Sequence, residues 1–188
     1  MRTGLASANW RGATLLEEVR SHGVANGFLY VLAVVDPMLG VCKVLQGHIS
    51  AGIHALENSI LRADEKGYRT NADWMRLNLA EVYLQIIAGT EKLAVATLLR
   101  NLPILLKVLA TASSRISVLM KCVFENPHYD PAGYHIGRAE MILGLLYKVK
   151  KKRVPALEHL SEAKRILSQF GQTPILARVE AALAELGQ

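Results

Sequence analysis

The chain has 188 residues, enough for one sizeable core or one continuous stack of helices. Hydrophobic residues make up 51% and charged residues 20%, which excludes a disordered chain. The net charge of +6 favours an acidic partner, and Cys42 and Cys122 stand in no CxxC or Cys/His cluster that would bind metal or carry redox chemistry.

Hydrophobic periodicity predicts helices throughout and no strand. The first helix spans 5–21, with Leu5, Gly12, Leu16 and Val19 on one face and a turn at His22-Gly23. No partner helix precedes it, so the chain is expected to begin inside a longer protein. A second helix covers about 25–46, where Pro37 should kink or split it. Its partner ends near Gly67, a left-handed cap. Thr70 and Asp73 have capping-box spacing ahead of a helix over 71–88. Thr90 is placed to cap a short helix to about Arg100, Leu102-Pro103 to break the chain, and a long helix to follow up to 125. Asp130 and Pro131 read as the N-cap and first residue of the next helix. Pro155 opens its partner and Gly171 closes it. The last helix, 174–186, carries Ile175, Leu176, Val179, Leu183 and Leu186 on one face and Arg178, Glu180 and Glu185 on the other.

These helices pair by a recurring pattern. Leu143, Gly144 and Tyr147 are followed by Ala156, Leu160 and Ala163; the small residues let two helices approach and the large ones fill the space beside them. Leu39 and Gly40 with Gly52, Leu56 and Ser59 repeat the pattern, and Ala80 and Tyr83 with Ala112, Ile116 and Leu119 repeat it more loosely. The spacing resembles the tetratricopeptide repeat (TPR). The expectation is an all-α, TPR-like α-α superhelix: a right-handed solenoid of helical hairpins with degenerate repeats and a C-terminal capping helix. It forms a single domain over 1–188, with a truncated repeat at 5–21, repeats at 25–66, 71–125 (containing an inserted short helix) and 131–170, and the cap at 174–186.

Three segments resemble the TPR-containing C-terminal region of bacterial class III adenylate/guanylate cyclases: ADWMRLNLAEVYL at 72–84, LRNLPIL at 99–105 and IGRAEMILGLLYK at 136–148. So does the tail over 163–183. In that family a cyclase domain and a P-loop ATPase region precede the repeats. No GxxxxGK[ST] phosphate cradle occurs here, so the resemblance implies a parent that makes a cyclic nucleotide and a chain that does not. The reading is a non-enzymatic signalling module in the cytoplasm, without cofactor or membrane span. It contacts a protein or peptide, or other domains of its parent; the alternatives are a free-standing homodimeric adaptor and, ranked below it, a basic helical protein that binds nucleic acid.

The groove positions carried over by this resemblance are Trp74, Leu77, Glu81 and Gln85 in one repeat and Arg138, Met141, Leu145 and Lys148 in another. The equivalent residues of the earlier repeat, Val34, Val41 and Val44, are apolar. A tryptophan at helical spacing is more often core than ligand site. His48 and His54 lie six apart, off a shared helical face, and His135 near Glu140 reads as a solvated pair rather than an acid/base couple. The run from Lys148 to Arg153 follows a helix C-terminus, where cations offset the helix dipole. The other reading is a docking patch for an acidic protein or nucleic acid, of which nucleic acid ranks lower because no interleaved aromatics support base stacking.

Overall fold

The computed structural model describes residues 3–89 and 95–187. It is all-α: α1 (Thr3–Ala25), α2 (Leu29–Leu45), α3 (Ile49–Glu65), α4 (Arg69–Ala88), α5 (Val95–Phe124), α6 (Tyr134–Val149), α7 (Arg153–Leu167), a 3-10 turn (Ser168–Phe170) and α8 (Pro174–Gly187). No strand occurs among the described residues. The chain divides into two compact units, one of Met1–Val82 and Lys92–Lys107, the other of Tyr83–Glu91 and Val108–Gln188.

One turn recurs. After α1, Gly27 N–H bonds to Val24 O and Phe28 N–H to Gly23 O. Gly47 and His48 repeat this after α2, Gly67 and Tyr68 after α3, and Lys151 and Lys152 after α6. This is the Schellman end, in which a left-handed residue lets the chain reverse while satisfying the last carbonyls. The left-handed positions 27, 47 and 67 fall twenty residues apart, as do 151 and 171. Glycine holds all of these except 151, where Lys151 has φ 57°. A side chain there costs about 1–2 kcal/mol, partly offset by the greater freedom that glycine gives the unfolded chain. Lys151→Gly should therefore stabilise the protein by about 0.5–1 kcal/mol, read as a rise in the urea midpoint at unchanged slope.

In the first unit α2 packs on α1 and α3. Gly40 and Gly52 bring α2 and α3 into backbone contact: a Cβ built on Gly52 would lie 2.6 Å from Gly40 O. Leu39, Ile49, Ile53 and Leu56 are buried around this contact. Gly12, by contrast, faces open space, and it is Gly23 whose added Cβ would meet Leu32. Val19 is exposed, while the side chain of Leu5 lies outside the described residues. Ala63, Ala72 and Met75 form a further cluster, with Ile60 and Trp74 packed on it.

In the second unit α6 and α7 form the tightest pair. Gly144 faces Leu160, and Gly137 faces Ile166 and Leu167. As one number falls the other rises, so the helices are antiparallel. Ala156, Leu160 and Ala163 are fully buried there, and Leu143 and Tyr147 are half-buried at the margin. Tyr83, Ala112 and Ile116 are buried too, as is Ala80 in the first unit. Arg115 Nη1 donates to the Tyr83 hydroxyl at 2.7 Å, with its guanidinium carbon 5.7 Å from the ring centroid. α8 buries Leu176, Val179 and Ala182; Thr173 caps it through Leu176 N–H, and Lys164 pairs with Glu180 at 3.1 Å.

Several boundaries differ from the sequence expectation. α1 continues through His22-Gly23, because the left-handed residue is Gly27. α2 passes Pro37 and α5 passes Pro103 unbroken, so the expected short helix to Arg100 is the first part of a 30-residue helix. A proline forfeits one helical hydrogen bond, and the continuous apolar faces on either side outweigh that loss. The expected cap at Thr90 lies outside the described residues. α4 starts at Arg69, which places Thr70 inside the helix and frees Asp73 from any capping-box role. Asp73 instead pairs with Arg76 at 2.7 Å. Asp130 caps a turn through Ala132 N–H rather than α6, which begins at Tyr134. With Pro103 passed, Thr97–Phe124 becomes long and apolar enough to cross a membrane by length and composition alone, with 22% of its most apolar window buried.

Candidate protein-binding surfaces

The predicted groove positions separate by burial. Leu77 and Met141 are fully buried and Arg138 is 7% exposed, so these three belong to the core and offer no contact surface. The reason is helical phase: Leu77 shares the inward face of α4 with Ala80 and Leu84, as Met141 shares that of α6 with Arg138. Trp74 is half-buried on the Ala63–Met75 cluster, which makes it mainly a packing residue. Glu81 and Gln85 are half-buried and each has an interaction partner. Val34, Val41 and Val44 are half-buried, with Val44 against Gly52.

Leu145 and Lys148 are brought together. They line a cavity of about 360 Å³ in the second unit with Leu84 and Ala88 of α4, Val149 of α6, and Ala181 and Ala182 of α8. Its floor is apolar. Its rim carries Lys148, Arg178 and Glu185, and Lys148 pairs with Glu185 across it. The remainder of the basic run, Lys150 to Arg153, is exposed and makes the hairpin turn.

Glu140 meets a different histidine from the expected one. His135 stacks on Tyr129 at 4.8 Å between centroids, whereas Glu140 lies 2.6 Å from His159 Nδ1 on α7. The His159 ring stacks on Tyr147 at 5.3 Å. The carboxylate and the phenol ring, both on α6, thus hold the imidazole from α7 and tie the hairpin together. His159 was legible only through the register of the two helices, which places it beside the buried Leu160. Cys42 is half-buried, and burial pushes its thiol pKa up. No group of three or more His, Cys, Asp or Glu side chains among the described residues could hold a metal ion.

A second surface lies on α5. Leu98, Leu99, Leu102 and Leu106 are exposed, Leu99 by 67%. Residues 99, 102 and 106 follow three-four spacing, so they form one ridge along the helix. The sequence held this signal, but the expected break at Pro103 cut the ridge in two.

No family model, curated protein or solved structure matches the chain. The chain is all-α, built of antiparallel helical hairpins closed by repeated left-handed turns.

Proposed function

We propose that the chain is a non-catalytic protein-interaction module of TPR-like superhelical type, serving as a regulatory segment of a larger cytoplasmic bacterial signalling protein such as an adenylate cyclase. The observation that carries the interaction role is the groove of the second unit. An apolar floor with a rim of both charge signs suits an amphipathic peptide segment, whose apolar side chains enter while its polar ones meet Lys148, Arg178 and Glu185. The repeated hairpin turns and the glycine contacts support the repeat reading. The signalling role rests on the sequence resemblance. An antibody against the chain, used on cell extract, should detect a polypeptide several times larger than 20.6 kDa. Cyclase activity should then change when this segment is deleted. A band at 20.6 kDa removes the linked-enzyme account.

The leucine ridge of α5 favours a second reading, a homodimeric adaptor, because three-four spacing lets two such ridges interlock. Sedimentation equilibrium separates the two: association with rising concentration that Leu99→Lys with Leu106→Lys abolishes supports the dimer, and a strict monomer rules it out.

A further inference from the structure

Asp36 of α2 is the centre of a charged cleft in the first unit. Its Oδ1 accepts from Arg20 Nε of α1 at 2.8 Å and its Oδ2 from Arg62 Nη2 of α3 at 3.2 Å. Arg62 Nη2 also reaches Ser59 Oγ. Both carboxylate oxygens are therefore engaged, and Asp36 is largely buried at 21% exposure. The two arginines are not exhausted. Arg20 gives Asp36 only its Nε–H, and both arginine side chains are about half exposed, at 44% and 55%. Asp36 acts as an internal counter-ion that fixes two cations while their other N–H groups remain open to a ligand.

Two cavities meet at Asp36, Ser59 and Arg62. One, of about 260 Å³, has apolar walls including Leu32, Ala63 and Met75, with Lys66 and Tyr68 beside them. The other, of about 360 Å³, is polar and is lined by Arg20, Lys43 and Asn58, with Glu17 as its second carboxylate. Four cations, Arg20, Lys43, Arg62 and Lys66, thus face two carboxylates, Glu17 and Asp36. Lys43 touches only one cavity and Lys66 only the other, while Arg62 borders both.

We propose that this cleft binds an acidic peptide segment, with carboxylates spread from Lys43 across Arg20 and Arg62 to Lys66 and an apolar side chain against Leu32 and Met75. A single small anion could meet only one end of this spread, whereas a chain with several carboxylates meets all of it. The apolar wall of the first cavity has no use for a phosphate backbone. The site is separate from the groove of the second unit and stands without the function proposed for that groove.

Fluorescence anisotropy of the intact chain with a labelled Glu/Asp-rich decapeptide containing one leucine tests the proposal. Binding should weaken as salt rises. Lys43→Glu with Lys66→Glu should weaken it about tenfold or more, since attraction becomes repulsion at both ends. Lys150→Glu with Lys152→Glu changes the net charge equally at the other unit's turn and should leave affinity within about twofold. Circular dichroism confirms that both variants fold; Arg20→Gln, which keeps a hydrogen-bond donor while removing a cation, supplies an independent weakening. No binding at low salt, or equal weakening by the two lysine pairs, overturns the proposal. So does full competition by millimolar inorganic phosphate, or tighter binding of a random single-stranded oligonucleotide that is lost in the same variants.

Discussion

Arg76→Met should cost about 3–5 kcal/mol, the range for stranding a buried charge. Arg76 Nη1 lies 2.7 Å from Asp73, whose side chain is only 3% exposed, and its Nη2 lies 2.5 Å from Asp64 on α3. Burial works against the Arg76 charge, but the hydrogen bonds to Asp64 and Asp73 outweigh it and raise its pKa above the ordinary arginine value. The arginine therefore stays charged wherever the protein folds, and its contribution does not fade at alkaline pH in the working range. Its removal leaves Asp73 without its cation in a nearly dry position, and urea unfolding should record the loss. The double variant Asp73→Leu with Arg76→Met should recover much of the stability, because a buried ion pair is replaceable by apolar side chains more readily than it is halved. A single variant within about 1 kcal/mol of the parent would show that Asp73 is solvated.

Gly52→Ala should be the most damaging one-carbon change in the first unit. The new methyl would sit 2.4 Å from Val44 Cγ2, 2.6 Å from Gly40 O and 2.9 Å from Val44 N. Val44 can rotate its side chain away, but the two backbone atoms can move only if α2 and α3 separate. Overpacking costs about 1–3 kcal/mol, and a clash with backbone belongs at the upper end. Gly12→Ala is the matched control. It meets nothing within 4 Å and gains helix propensity, so it should be neutral or stabilising. Equal melting temperatures for Gly52→Ala and the parent would mean that the two helices do not approach at this glycine.

The hairpin contacts were legible because they are local and periodic. Gly40 with Gly52 and Gly144 with Leu160 follow from small residues at fixed offsets on consecutive helices. Gly137, two turns earlier on the same face of α6, makes the same kind of contact but had no place in the repeat pattern. The twenty-residue turn period is marked by glycine at 27, 47 and 67 in the first unit and is hidden only in the second, where Lys151 stands in glycine's place. Prolines misled in the other direction: Pro103 read as a break and Pro37 as a kink or a split, yet each lies within a helix whose packing offsets one lost bond. Groove positions were the least legible. A shift of one residue in helical phase separates buried Leu77 from half-buried Asn78, and periodicity does not fix phase that finely. The Asp36 cleft gave no signal at all, since Arg20, Asp36 and Arg62 come together only through three helices.

The most direct measurement is photocrosslinking in cells that make the native protein. A benzophenone amino acid is placed at Val149, on the lip of the second unit's groove, or at Glu158, an exposed residue of α7 outside it. An interaction module that uses this groove gives a discrete cross-linked product, between chains or to another segment of the same parent, from position 149 and none from position 158. Products of equal yield from both positions, or from neither, would contradict it.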